Sequence, residues 1–161
     1  DRATWEKLHT LARAAISTEE QNRYYRSLQN VDDPVLARRT LDLALTEDRS
    51  TAQWFGIVSA VSDRHPVLAW DFARAHADAL IAKVPAGGAF LTRNTYFPSV
   101  AENFSEAERA DELETFVARK LGAEAGREAA KTAENIRFKA AFKVRVLPAV
   151  DAWVAVQVRR N

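Results

Sequence analysis

Val61-Ser62-Asp63-Arg64-His65-Pro66-Val67-Leu68-Ala69-Trp70-Asp71-Phe72 is the stretch on which the fold reading turns. Its polar middle stops one helix at about Val61. Pro66 then occupies a helix-opening position, where its missing N–H is not needed and its fixed φ is already helical. Trp70 and Phe72 bring bulky apolar surface to the first turns of the following helix. Such a junction predicts helices on both sides of it.

Working outward, the same pattern repeats. Trp5, Leu8, Leu11, Ala15 and Ile16 recur at helical spacing and predict an opening helix over Ala3 to Ile16. Ser17 with Glu20 forms a capping box for a second helix, with Tyr24, Tyr25 and Leu28 inward. Asp33 before Pro34 starts a third, carrying Leu36, Leu41, Ala44 and Leu45. Ser50 with Gln53 starts a fourth, whose face is Trp54, Ile57, Val58 and Val61. The fifth runs from Pro66 to about Val84. Residues 85–89, Pro-Ala-Gly-Gly-Ala, predict a turn. Phe90 to Phe104 shows no helical rhythm beyond a short helix after Pro98. Ser105 with Glu108 predicts another capping box, opening a helix with Ala110, Leu113, Phe116, Val117 and Leu121 inward. In the last segment Ile136, Ala140, Val144, Leu147, Val150 and Val154 make one stripe, widened by Phe138, Phe142 and Trp153, with Pro148 expected to kink or divide it.

Short helices with brief connections imply antiparallel hairpins, with starts near residues 3, 33 and 66 at the rhythm of a helical repeat array. The expected fold is all-α, a curved stack of helical hairpins of the HEAT or armadillo kind. At 161 residues, 47% hydrophobic and 28% charged, residues 1–161 read as one globular helical domain. A chain that opens at Asp1 with no Met reads as a piece of something longer. No Cys is present, which removes disulfides and thiolate metal sites and leans toward a reducing, cytoplasmic compartment. No apolar run approaches the ~20 residues of a membrane span.

Charge is unevenly placed. Glu102 to Glu114 holds six acids against Arg109, and Arg127 to Asn161 holds eight Lys or Arg against three acids. Two solvated helix faces of opposite sign account for this better than a nucleic-acid surface, because the basic residues are scattered between core positions.

Residues with chemical potential form no catalytic pattern. His9, His65 and His76 lack the spacing of H-E-x-x-H. Glu19-Glu20 and Asp32-Asp33 sit where helices begin and read as caps. Trp5, Trp54, Trp70 and Trp153 fall on apolar stripes and read as core. Arg93, Asn94, Tyr96 and Phe97 fall where the helical pattern lapses. Arg93, Asn94 and Tyr96 are therefore the candidate contacts to a peptide or its carboxylate, against an ordinary loop-anchoring role.

Several segments resemble a known family. Leu41-Asp42-Leu43-Ala44-Leu45, Gln53-Trp54-Phe55, Ala69-Trp70-Asp71-Phe72, Phe104 and Glu134-Asn135-Ile136 follow in the order seen in the all-helical C-terminal domain of the aminopeptidase N superfamily. The puromycin-sensitive and endoplasmic-reticulum branch is the most similar. The resemblance runs from about Trp5 to Trp153, and departs from the pattern at Arg64-His65-Pro66, where the family usually has Gly or Lys-Gly. It implies a non-catalytic domain that caps the active-site chamber of a zinc aminopeptidase and helps admit or position peptides. The zinc and the catalytic residues would belong to a preceding catalytic domain, the expected partner beside the peptide substrate. No cofactor, nucleic acid or membrane segment is expected of this chain itself. The alternative is a stand-alone helical-repeat scaffold for protein partners.

Overall fold

A computed structural model describes residues 1–46, 51–83 and 93–158, with α4 side chains described from Trp54 onward. Among these residues every regular element is helical: α1 (Arg2–Ala14), α2 (Thr18–Gln29), α3 (Pro34–Asp42), α4 (Thr51–Arg64), α5 (Pro66–Ala75), α6 (Ala77–Lys83), α7 (Arg93–Ala101), α8 (Ala107–Lys120) and α9 (Gly126–Val158). Short 3₁₀ turns at Leu43–Leu45 and Ala123–Ala125 follow α3 and precede α9. The all-α expectation holds. The expected 85–89 turn and the Ser50 and Gln53 cap lie outside the described residues.

Local chemistry sets the helix starts. Asp1 accepts from the Thr4 N–H at 2.9 Å, and Ser17 Oγ accepts from the Glu20 N–H at 3.1 Å. Asp33 accepts from Val35 and Leu36 ahead of Pro34. Each satisfies a donor the first helical turn would otherwise leave open. At the far end of α8, Gly122 adopts φ 82°, a backbone that glycine alone reaches without strain.

Packing follows chain order. α1 lies on α2, α4 bridges α2, α3 and α5, and α7 sits between α5 and the α8–α9 hairpin. The centre is aromatic. Trp54, Phe55, Tyr96 and Phe97 meet at ring separations of 4.1 to 5.6 Å, and Trp70 stands edge-on to Phe104 and Phe116. Trp5, Trp54 and Trp70 are buried as expected.

The junction quoted at the start takes the form its residues dictate. α4 ends at Arg64, and Pro66 opens α5 with His65 at the cap position. The Arg64-His65 pair that departs from the family pattern has a tertiary role. Arg64 pairs with Asp32, His65 Nε2–H donates to the Val31 carbonyl at 2.8 Å, and Asp63 accepts from Asn103 at 2.8 Å. The turn therefore pins the α2–α3 connection on one side and the end of α7 on the other.

Five expectations are corrected. The inward stripe of α1 is Trp5, Leu8 and Ala12, while Leu11 and Ile16 face outward. The fifth helix breaks at His76 (φ −110°, ψ 21°), and Ala77 and Leu80 beyond the bend return to the core. The segment without helical rhythm contains α7, whose Tyr96, Phe97, Val100 and Ala101 form a buried stripe around the internal Pro98. Burying two large aromatics offsets the hydrogen bond that proline removes. Ser105 does not cap α8: Glu106 holds the cap position, and the Ser105 N–H and Oγ–H both donate to the Glu106 carboxylate. Finally, Pro148 does not divide α9. The stripe it was expected to interrupt is buried only as far as Ile136, and Val144, Leu147, Val150, Trp153 and Val154 are exposed because no described element packs on them.

Candidate functional site

A concavity lies between α5 and α8. Trp70 is buried on α5 and Leu113 and Val117 are buried on α8, and Arg74 of α5 reaches Glu112 of α8 across the gap between the two helices. Arg74, Asp111, Glu112, Thr115, Phe116, Arg119 and Lys120 line a volume of about 660 Å³. Half-buried Phe116 contributes apolar surface, and Arg74, Arg119 and Lys120 contribute cationic groups.

Carboxylates hold two of these cations, Arg74 and Lys120, in position. Arg74 bonds Asp71 at 2.9 Å and pairs with Glu112, and Lys120 bonds both Asp78 oxygens at 3.0 and 3.1 Å. Arg109 donates to Glu112 at 2.6 Å while its guanidinium lies 5.2 Å from the Phe104 ring centre. Burial pushes the Glu112 carboxyl upward, but the Arg109 hydrogen bond and the Arg74 charge outweigh it and hold the group below its usual range. Glu112 thus stays ionised and fixes two guanidinium forks. The groove thus sets charged groups of both signs beside the apolar face of Phe116.

The residues nominated from sequence do not line this groove. Arg93 and Asn94 open α7, Arg93 exposed and Asn94 half-buried. Tyr96 is on the same helix with 0% exposure, packed edge-on against Trp54 and Phe55. Burial raises its phenol well above the ordinary range. The expectation that Tyr96 lies in a ligand-facing loop is corrected, because its ring belongs to the core. A smaller cavity of about 300 Å³ runs between α7 and α9 along Thr95, Ser99, Glu128 and Asn135.

Arg74, Arg119 and Lys120 had escaped the sequence reading, since about forty-five residues separate the two walls and neither carries a motif. The two charged regions read from sequence do meet. Arg137 of α9 pairs with Asp111 and Glu114 of α8, and Lys143 pairs with Glu106. Opposite faces of one hairpin account for the charge blocks. Among the described residues, no group of three or more His, Asp or Glu is placed to hold a metal ion, and no helix is long and apolar enough to cross a membrane.

Comparison with known proteins yields no match among curated sequences. It does yield a family: the ERAP1-like C-terminal domain matches residues 1–138. That span takes in α1 to α8, the α5–α8 groove and the buried start of α9. With most of its length matched and an all-α fold in agreement, the chain belongs to the ERAP1-like C-terminal domain family, the C-terminal domain of M1 aminopeptidases.

Proposed function

We propose that this domain caps the active-site chamber of a zinc aminopeptidase and helps admit or position peptides whose N-terminal residues the catalytic domain removes. The family match over residues 1–138 carries the reading. The α5–α8 groove supports it, because Arg119 and the carboxylate-held Arg74 beside a half-buried aromatic offer N–H donors and apolar surface to the distal end of a peptide. A curved wall of stacked hairpins would enclose such a chamber, and movement of the wall would open it to substrate. Closure excludes water and strengthens electrostatic interactions at the metal. Arg93 and Asn94 remain candidate contacts at the start of α7, whereas Tyr96 acts through the packing that holds α7 in place.

The experiment uses the parent enzyme. Arg119→Ala and the pair Arg93→Ala with Asn94→Ala are compared on single-residue chromogenic substrates and on peptides of about ten residues. Small substrates occupy only the zinc-proximal pocket, while long ones gain remote binding energy at the cap. An exposed ionic contact contributes about 1 kcal/mol, so kcat/KM should fall about fivefold on long peptides and stay level on short ones. Equal shifts on both classes overturn these contacts. A parent without peptidase activity overturns the whole reading in favour of a helical scaffold.

A further inference from the structure

The cations of the α5–α8 groove, Arg74, Arg119 and Lys120, are held to different degrees. Arg74 bonds Asp71 at 2.9 Å and pairs with Glu112, which Arg109 also holds at 2.6 Å. The Arg74 and Glu112 side chains are 38% and 25% exposed. Among the described residues Lys120 bonds one carboxylate, that of Asp78, at 3.0 and 3.1 Å. That pair stands further into water, with the Lys120 side chain 41% exposed and that of Asp78 85%. Arg119 has no ion pair among the described residues. The carboxylates of the groove itself are engaged by other groups, Glu112 by Arg74 and Arg109, and Asp111 by Arg137.

This grading makes Lys120 the groove cation with an exchangeable partner. An ion pair so open to solvent is weak, because water solvates both groups nearly as well as each solvates the other. A second carboxylate arriving in the groove offers Lys120 the same hydrogen bonds. Beside Phe116 it is better shielded from water than Asp78, so the bond to it is the stronger one.

We propose that Asp78 is a built-in competitor for the groove, occupying Lys120 until the C-terminal carboxylate of a bound peptide displaces it. The inference rests on the reading of this groove as a contact for the distal end of a peptide. The fold places the competitor through a break in helix geometry. α5 ends at His76, and α6 starts afresh at Ala77, which brings its first turn to the last turn of α8. α6 does not depend on Lys120 for its position. Ala77 and Leu80 are buried, and Lys83 donates to the Leu45 and Thr46 carbonyls at 3.3 and 3.1 Å. The exchange is therefore a movement of the Lys120 side chain alone, with Arg119 beside it in the last turn of α8 as the second cation. Asp78 lowers the preference of the groove for a free carboxylate over a neutral end, and so sets how strongly peptide termini are told apart.

The test compares kcat/KM of the parent enzyme on a peptide of about ten residues, as the free acid and as its C-terminal amide. The acid-to-amide ratio isolates the carboxylate, since the rest of the peptide is the same. Asp78→Asn should raise that ratio about three- to fivefold, the worth of an exposed pair. Asp78→Glu keeps the charge and should stay within about twofold of the wild type. Lys120→Met keeps the apolar stem and should lower the ratio about threefold, and adding Asp78→Asn to it should then change the ratio by less than about twofold. Position 78 is exposed, so the variants should melt near the wild type. If Asp78→Asn disturbs the fold, Asp78→Ser removes the same charge and decides. A level or lower ratio in Asp78→Asn overturns the proposal. So does an equal rise on the Lys120→Met background, which makes Asp78 a distant charge and not a competitor. Arg119→Ala tells the two failures apart. Where it lowers the ratio and Asp78→Asn leaves it level, the groove stands and the competitor falls; where both leave it level, the groove takes no carboxylate and both readings fall. A parent without peptidase activity overturns both as well.

Discussion

The Trp5 indole N–H donates to Thr40 Oγ1 at 2.9 Å across 35 residues, and both groups are buried. The Thr40 hydroxyl faces the carbonyls of Leu36 at 2.9 Å and Leu28 at 3.2 Å. One hydroxyl thus ties α1, α2 and α3 together, with the Arg39 guanidinium 4.4 Å from the Trp5 ring centre on the outer side.

Thr40→Val keeps the shape but strands a buried indole N–H. It should cost about 1–3 kcal/mol, or roughly 2–4 °C of melting temperature per kcal/mol in a chain this size. Trp5→Phe with Thr40→Val should cost less than the two separate losses added together, since both remove the same bond. Additive losses by urea denaturation would show that this bond does not couple the helices.

Tyr96 separates ring from hydroxyl. Its ring is central to the aromatic core, while its hydroxyl has no hydrogen-bond partner among the described residues. Tyr96→Phe should be nearly neutral, and Tyr96→Ala should cost about 3–5 kcal/mol. A large loss in the phenylalanine variant would reveal a partner for the hydroxyl.

Glu112 gives a pH dependence with a definite sign. Its folded carboxyl is held below the ordinary glutamate value of about 4.3. Stability from this group is therefore present above about pH 4.3 and is lost as pH falls through the lower folded value. The gap in urea midpoint between wild type and Glu112→Gln should be constant from pH 7 to 5 and shrink toward pH 3. A gap that widens on acidification would contradict the pairing with Arg109 and Arg74.

Two glycines should respond oppositely to alanine. Gly122 has φ 82° and open space at the Cβ position, so Gly122→Ala incurs a backbone cost of about 1–2 kcal/mol. Gly126 has φ −60°, ψ −34° and is equally open, so Gly126→Ala should stabilise by up to about 1 kcal/mol. Paired thermal melts of the two variants check this directly.

The sequence by itself determined the helices whose starts and stripes are local. Asp1, Ser17, Asp33-Pro34 and His65-Pro66 announce their helix ends through chemistry completed within three residues, and the resemblance at Ala69-Trp70-Asp71-Phe72 leads to the family that residues 1–138 match. It also gave the stripe on α9 and the paired charge blocks of α8 and α9. Tertiary structure alone decided what those features face. Pro98 and the neighbouring glycines argue locally against α7, and only the burial of Tyr96 and Phe97 against Trp54 and Phe55 overrides them. The groove of Arg74, Arg119 and Lys120 exists because tertiary folding brings Arg74 of α5 to Glu112 of α8, which no local spacing records. Ile136 and Leu147 belong to one periodic stripe, yet one is buried and the other half exposed. Periodicity fixes the side of a helix on which an apolar residue falls; whether that side is covered depends on the neighbour placed against it.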